Sequence, residues 1–442
     1  MQISSWGGLR REARDICTPA FSSDMRRILQ SARGAGLRSL VIGNLRSYGD
    51  EVLCPDGFYL RTTRCDRILQ IDVAGNTVTA ECGIRMDELQ RRLTPLGLMI
   101  PVMPGTALLT LGGAIANDVH GKNHHAAGTF GRFVRKLQLV RTNGETFLCS
   151  PSENPDYFAA TIGGLGLTGA ITWSTIELRR ISSPILRVAS QRMRCLSEFF
   201  GIDDRNKEQH EYTVAWIDCL AKGKSLGRGI YSTADFIETS APAPDPTPFG
   251  MKRLRIGVPF SLPMSPVNRL TVGAMNSLYY RTQLAGVRYL DFREWLYPLD
   301  AVGHWNRVYG LRGFFQFQCV IPTRQAEQGI SNLLKTIALC RQGSFLAVLK
   351  NFGGKSSPGL MSFPMSGATL ALDFPNHGAA TRDLLLELCR ITLEAGGRLY
   401  PAKDAHSSPD SLKFGYPNFA RFKTLVDPGI ESMMSRRLQL TG

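Results

Sequence analysis

The stretch Gly112–Gly131, GGAIANDVHGKNHHAAGTFG, decides the fold, because its composition implies a backbone that passes very close to another group. It holds five glycines, three histidines and one lysine in twenty residues. Glycine has no Cβ, so backbone N–H groups can point at phosphate oxygens without a side chain in the way. The stretch therefore favours a loop that cradles a diphosphate.

Two other interpretations of the same stretch stay open. A metal site would use His120, His124 and His125, but Gly121 breaks any helix between the first two, and no acid stands at the spacing of zinc proteases. A purely structural interpretation makes the glycines tight turns and the histidines surface residues. The diphosphate is favoured because GNLRSYGD, at 43–50, repeats the device after an earlier strand. Neither loop fits GxGxxG at a helix start, so the nucleotide fold is not a Rossmann fold.

Length and charge limit the class of protein. The 442 residues exceed what one hydrophobic core supports, so we expect two domains. No secretory signal is recognisable, and no apolar run reaches the ~18 residues of a membrane span. This predicts a cytoplasmic protein, or one that rests on the inner face of the plasma membrane. The ten cysteines stand singly, as reduced thiols do, and the net charge of +15 implies an anionic partner. Nucleic-acid-binding motifs are lacking, so we expect no nucleic acid.

The hydrophobic patterns indicate an α+β fold. The first ~180 residues mix short strands with helices and glycine turns, including a hairpin turned by Asn143-Gly144. Farther on, FFQFQCVIP predicts a strand with Gln316 and Gln318 on one face. Helical patterns at 330–342 and 380–397 alternate with further strands. An antiparallel sheet backed by helices is the expected arrangement of this second part.

The segment 246–290 contains no Asp or Glu and mixes apolar and aromatic residues with basic ones. Its cations are Lys252, Arg253, Arg255, Arg269, Arg281 and Arg288. Such a segment suits the face of an anionic membrane, where each cation contributes ~1 kcal/mol. A basic, solvated loop beside ordinary core segments is the alternative.

Four motifs together resemble the FAD-binding (PCMH-type) domain of the vanillyl-alcohol-oxidase family: RSYGD at 46–50, PGT at 104–106, GGAIANDVHGKNHH at 112–125 and GGLGLTG at 163–169. The resemblance continues through HWNRVYG at 304–310, FQFQCVIP at 315–322 and GGRLYPAKD at 396–404. These runs are similar to a branch of the family that oxidises the 2′-hydroxyl of a polyprenylphosphoryl-β-D-ribose. That reaction begins the epimerisation to the arabinose donor for cell-envelope glycans.

The resemblance implies a domain plan and partners. It places an FAD-binding domain at 1–181, completed by 398–442, and a substrate domain at 182–397 with an antiparallel sheet and flanking helices. The segment 246–290 would be a membrane-facing lid. Covalent-flavin relatives carry a histidine where this chain has Tyr48, so FAD is expected to bind noncovalently. The lipid-linked substrate and an NAD(P)H-dependent short-chain reductase would be its partners.

The resemblance also implies roles for individual residues. Residues expected at the cofactor are Gly43, Asn44, Arg46, Ser47, Tyr48, Gly49, Asp50, Gly105, Thr110, Gly112, Gly113, Asn117, Asp118, His120, Ile171 and Tyr400. Residues expected at the substrate are Lys122, Gln316, Gln318, Asp373 and Lys403. The expected catalytic set is Lys403, which would hold developing negative charge, His120, which would accept the hydroxyl proton, and Gln318, which would bind sugar hydroxyls. No metal is expected.

Less specific interpretations accompany these roles. Lys403 could be a surface lysine paired with Asp404, and the two glutamines could be the polar face of a strand. The chain also departs from its relatives. Leu45 replaces a loop glycine, which predicts a different backbone route, while Thr369 and Ala371 replace an asparagine and a cysteine expected beside the flavin. The alternative functions are a soluble sugar, alditol or aldonolactone oxidase of the same family and a flavin-free binding or scaffold protein.

Overall fold

A computed structural model describes residues 2–13, 15–238, 257–283 and 285–441. Part of the expected lid, residues 246–256, therefore lies outside the described residues. The rest shows helices together with antiparallel sheets, so the α+β class is confirmed. None of the described helices is long and apolar enough to cross a membrane.

Small sheets and short helices make up the chain as far as residue 181. The strands are β1 Gln2–Ser4, β2 Arg11–Ala13, β3 Ile16–Cys17, β4 Ser39–Ile42, β5 Phe58–Arg61, β6 Ile68–Asp72, β7 Thr77–Glu81, β8 Leu98–Met99, β9 Val134–Val140, β10 Thr146–Cys149, β11 Ala170–Glu177 and β12 Arg179–Arg180. The helices are α1 Met25–Gly34, α2 Met86–Leu93, α3 Leu111–Ala116, α4 His124–Ala127 and α5 Pro155–Thr161. A parallel sheet has the order β3-β5-β4, and an antiparallel sheet has the order β10-β9-β11-β7-β6.

The later strands form one broad antiparallel sheet, as the sequence predicts. The strands are β13 Ile185–Met193, β14 Tyr212–Ile217, β15 Gly229–Phe236, β16 Gly286–Asp291, β17 Phe314–Pro322, β18 Ala347–Phe352, β19 Gly367–Pro375 and β20 Arg398–Leu399. The helices of the same part are α6 Leu196–Asn206, α7 Arg269–Thr282, α8 Phe292–Leu296, α9 Ala326–Cys340 and α10 Ala379–Glu394. The order of the sheet is β16-β13-β15-β14-β18-β19-β17-β20.

One face of this sheet is a hydrophobic core. Alternate residues of β17, such as Phe317 and Cys319, pack with Leu370 of β19 against buried leucines of α9 and α10. Because side chains alternate along a strand, the intervening residues of β17 to β19 must face the other way. That second face lies toward the glycine-rich loops.

The last helices return to the first part of the chain. They are α11 Pro409–Gly415, α12 Phe419–Leu425 and α13 Met433–Arg437. Arg437 donates to both carboxylate oxygens of Asp50, at 2.8 and 2.9 Å, and Thr142 donates to Asp427 at 2.6 Å. By contrast, β20 belongs to the broad sheet. The domain limits near 181 and 398 stay predictions.

Leu45 does not divert the backbone as expected. Its φ is 53°, in the left-handed region that favours glycine. The chain therefore keeps a glycine-like conformation here with a side chain that strains it, at a cost of ~1 kcal/mol or more.

Candidate active site

A cavity of about 540 Å³ lies between the glycine-rich loops and the broad sheet, within the ~300–1,000 Å³ typical of ligand sites. Residues predicted from widely separated motifs come together in its wall. They are Gly43, Asn44, Arg46, Ser47, Tyr48, Gly105, Thr110, Gly112, Gly113, Asn117, His120, Lys122, Ile171, Gln316, Gln318, Tyr400 and Lys403. Among the described residues, no cluster of His, Cys, Asp and Glu is arranged to hold a metal ion.

Four predicted residues do not line the cavity: Gly49, Asp50, Asp118 and Asp373. The Asp50 carboxylate binds Arg437 instead. Asp118 is fully buried and accepts from the Gly131 N–H at 2.7 Å and from two serine hydroxyls. For these two aspartates the expectation of direct cofactor contact is corrected, because their carboxylates are engaged in holding loops in place.

Glycines bring the two loops together. A Cβ on Gly43 would lie 2.3 Å from the Thr110 hydroxyl oxygen, and one on Gly112 would lie 3.1 Å from the Cys82 carbonyl oxygen. Thr110 in turn accepts a hydrogen bond from the Gly113 N–H at 3.2 Å. The close approach predicted from the glycines is thus first an approach of one loop to the other, and it leaves their backbones in the cavity wall.

Several polar atoms of wall residues are buried without a hydrogen-bond partner in the part of the chain that the structure describes. They are Glu51 Oε2, Asn117 Oδ1, His120 Nδ1 and Gln316 Oε1. Buried polar atoms normally have partners, so this set fits a polar ligand. A wall with glycine loops at one side and unpaired donors and acceptors at the other suits FAD, which is both long and polar.

The cavity floor comes from three adjacent strands. Its residues alternate along each strand: Gln316 and Gln318 on β17, Val348 and Lys350 on β18, Thr369 and Ala371 on β19. Gln318 stands opposite Ala371, and Lys350 stands opposite Thr369. The predicted common face of the two glutamines is confirmed by this register.

Sequence reasoning missed Lys350. A lysine two residues after Val348, in the otherwise apolar run AVLKNF, was the available signal for a charged group on a buried strand face. Its Nζ donates to the Gly121 carbonyl oxygen at 3.1 Å. Burial, with a contribution from the charge of Lys403, lowers the pKa of Lys350 to about 7.

Lys403 is buried and is not a surface partner of Asp404. Its Nζ lies 4.0 Å from the ring centroid of Tyr48, while Asp404 accepts hydrogen bonds from Arg437 and Ser407. Burial lowers the pKa of Lys403 to about 8, against the opposing charges of Asp373 and Glu51. The amine is therefore cationic at neutral pH, but only narrowly.

Two carboxyl groups accompany this lysine. Glu51, which sequence reasoning also missed, lines the cavity, and burial raises its pKa to about 7. Burial likewise raises the pKa of Asp373 to about 7, although Gln316 donates to it at 2.6 Å and Lys403 opposes the shift. The charge of the site thus changes within the neutral range.

His120 sits among aromatic rings in the wall. Its centroid lies 4.8 Å from that of Phe352 and 5.3 Å from that of Tyr400. The Gln318 side-chain nitrogen is 3.0 Å from Nε2; if the amide donates, as this placement requires, Nδ1 carries the imidazole proton. Burial, reinforced by Lys350, lowers the pKa of His120 well below its usual value. The imidazole is therefore neutral.

Lys122, expected to bind substrate, already has partners. Its Nζ donates to the Trp295 carbonyl oxygen and lies 4.2 Å from the centroid of the Trp295 ring. Burial lowers the pKa of Lys122 to about 7. Nearby, Asp300 accepts from the Thr106 hydroxyl at 2.6 Å and from the Ala107 N–H at 2.8 Å, which fixes the loop at 104–106.

Comparison with known proteins agrees with this site. Residues 14–150 match the model of an FAD binding domain. The chain is 34% identical to decaprenylphosphoryl-beta-D-ribose oxidase of Mycolicibacterium smegmatis, over 99% of this chain and 97% of that protein. It is also 30% identical to L-gulonolactone oxidase of Scyliorhinus torazame and 29% identical to L-gulono-1,4-lactone dehydrogenase of Mycobacterium tuberculosis. These two similarities cover 44% and 43% of this chain and 43% and 44% of those proteins. The chain is therefore an FAD-dependent oxidoreductase and belongs to the family of decaprenylphosphoryl-beta-D-ribose oxidase.

Proposed function

We propose that this enzyme oxidises the 2′-hydroxyl of a polyprenylphosphoryl-β-D-ribose to the 2′-keto sugar. The observation that carries the proposal is the cavity floor, where two glutamines and two lysines line a wall shared with the glycine loops. A sugar presents several hydroxyl groups, and amide side chains can donate to and accept from them at once. The full-length similarity to a decaprenylphosphoryl-beta-D-ribose oxidase supports this substrate class over a soluble sugar.

The loops at 43–48 and 105–117 would hold FAD, with Tyr400 and Ile171 also against it. When bound, FAD supplies the acceptor for the hydride that leaves the sugar carbon. The protein's contribution is orientation and charge. Gln316 and Gln318 would fix the ribose, and the Lys403 cation would stabilise negative charge that develops on the sugar oxygen.

The hydroxyl proton needs an acceptor. We assign His120 to this task, because its neutral imidazole is the protonation state that a base requires. Lys350 is a second basic group close by, since its charge helps to lower the pKa of His120. With a pKa of about 7, Lys350 is partly neutral at physiological pH and can take the proton onward.

The approach of a lipid substrate is supported by an exposed apolar patch, which we define as Phe260, Met264, Leu270 and Leu278, exposed by 65, 83, 81 and 62%. The Val258 N–H donates to the Gly303 carbonyl at 2.8 Å, and Gly303 lines the cavity. The patch thus adjoins the cavity mouth. We propose that the patch, with Arg269 and Arg281 beside it, rests on an anionic membrane at the cytoplasmic face while the prenyl tail stays in the bilayer.

A 2′-keto sugar is not an end product for a cell-envelope donor. Its reduction from the opposite face gives the arabino epimer, and this step needs a hydride donor. We therefore propose an NAD(P)H-dependent short-chain reductase as the partner that consumes the product in arabinan and cell-wall synthesis.

The direct test is an anaerobic absorption spectrum of the FAD-loaded protein before and after addition of a polyprenylphosphoryl ribose. We expect the oxidised flavin band at about 450 nm to bleach. L-gulono-1,4-lactone serves as the soluble comparison. Bleaching by the lactone and not by the lipid would move the function to a soluble aldonolactone oxidase, and a protein that cannot be loaded with FAD would contradict both.

A further inference from the structure

The guanidinium of Arg46 lies at the cavity wall in a fixed position. Its Cζ is 4.1 Å from the centroid of the Trp6 ring, and Trp6 packs edge-on against Trp305 at 5.8 Å. The backbone adds to this support, because the Trp6 N–H donates to the Ser47 carbonyl at 2.8 Å. An arginine stacked on an aromatic ring is held in one orientation before any ligand arrives.

This cation has no anion. Within residues 2–13, 15–238, 257–283 and 285–441, Arg46 makes no ion pair, and its buried Nε has no hydrogen-bond partner. Asp300 is the acid whose charge most affects it, but that carboxylate already accepts from Thr106 and Ala107. Burial lowers the pKa of Arg46 despite Asp300. A half-buried guanidinium without a partner is unfavourable, and a bound anion would offset that cost.

The neighbourhood of Arg46 belongs to the mouth of the cavity. His304 and Val302 line the same cavity and are both exposed. His304 is close enough that Arg46, after burial and Arg307, contributes to lowering its pKa. A neutral His304 can still donate one N–H. The apolar patch adjoins this mouth through Gly303, while the polar floor with Gln316 lies in the same cavity.

We propose that Arg46, assisted by His304, binds the phosphate group of the substrate. The proposal rests on the proposed function and deepens it, because it fixes the direction of the substrate. The phosphate stands at the mouth, the prenyl chain leaves over the patch, and the ribose reaches the floor. Guanidinium binds a phosphate through two parallel N–H donors, which an ammonium cannot reproduce.

The test uses the FAD-loaded protein and farnesyl monophosphate as the probe, with farnesol as its phosphate-free match. Binding is measured by calorimetry for wild type, Arg46→Gln, Arg46→Lys and His304→Leu. Arg187→Gln is the control, since it removes the same charge from an exposed site outside the cavity. We expect Arg46→Gln to weaken farnesyl phosphate binding about tenfold or more, and the lysine variant and His304→Leu to weaken it less.

Farnesol binding and FAD content are expected to stay as in wild type, and Arg187→Gln is expected to bind both probes normally. Equal affinity for farnesyl phosphate in wild type, Arg46→Gln and His304→Leu would overturn the proposal. Loss of FAD from Arg46→Gln, with normal probe affinity after reloading, would also overturn it and assign Arg46 to the diphosphate of the cofactor. If Arg46 governs probe binding but polyprenylphosphoryl ribose leaves the flavin oxidised, the phosphate site stands and the proposed function fails.

Discussion

Lys403 lies buried over the ring of Tyr48, and its charge determines how much negative charge the site can stabilise. Its pKa is lowered to about 8 by burial, so the cationic form is present below that pH and is lost above it. We expect the rate of flavin reduction by substrate to fall as pH rises through about 8. Replacement by methionine, which removes the charge, is expected to slow the reaction by about 10²–10³ at pH 7. A stopped-flow pH profile with FAD content measured in parallel checks both.

Asp373 gives this prediction a second handle. Its negative charge raises the pKa of Lys403, so Asp373→Asn is expected to move the alkaline limb of the profile to lower pH. Asp410→Asn, on an exposed carboxylate of α11, is the control and should leave the limb in place. A rate that stays constant to pH 10 in wild type would show that the Lys403 cation is not needed.

At the residue level, motifs predicted more of the site than composition could. The glycine loops, His120, Gln318 and Lys403 do line one cavity. Lys350 and Glu51 were missed, because only the pairing of β18 with β19 and the fold of the first loop bring them to the wall. Asp118 was placed at the cofactor because its neighbours are there, yet a one-residue step along the chain turns its side chain into the protein.

Helix α7 presents opposite faces to the protein and to the outside. Val272 and Asn276 are buried, and Asn276 donates to Asp218 at 2.9 Å. Leu270 and Leu278 are exposed. We expect the double variant Leu270→Glu, Leu278→Glu to bind anionic phosphatidylglycerol vesicles at least about tenfold more weakly, because it removes apolar contact and adds repulsion. Vesicle sedimentation at two salt concentrations measures this.

The matched control puts the same changes on another surface. Leu339 on α9 and Leu386 on α10 are exposed by 73 and 56%, and their replacement by glutamate adds the same charge. If both double variants lose vesicle binding equally, only net charge matters and the membrane-facing role of α7 is wrong. The sequence predicted this segment as a unit from its basic, acid-free composition, but not which residues of the helix point outward, since that depends on the Asn276 contact.

At the scale of the molecule, the sequence predicted the α+β class and an antiparallel sheet backed by helices. The order of the broad sheet was beyond it, because β14 pairs with β18 and β17 with β20 across long stretches of chain. The consequence of that order is a single cavity walled by both the glycine loops and the sheet. FAD bound there would touch both parts of the chain.

Binding of FAD should therefore stabilise the whole molecule. A ligand that binds only the folded state adds about 2.7 kcal/mol at one hundred times its Kd. We expect the thermal midpoint of the FAD-free protein to rise with FAD concentration, and riboflavin, which lacks the diphosphate, to raise it less. Hydrogen exchange should show protection of residues 104–117 and of β17 to β19 together. A midpoint that is independent of FAD, or protection confined to the glycine loops, would contradict a cofactor site shared by both parts.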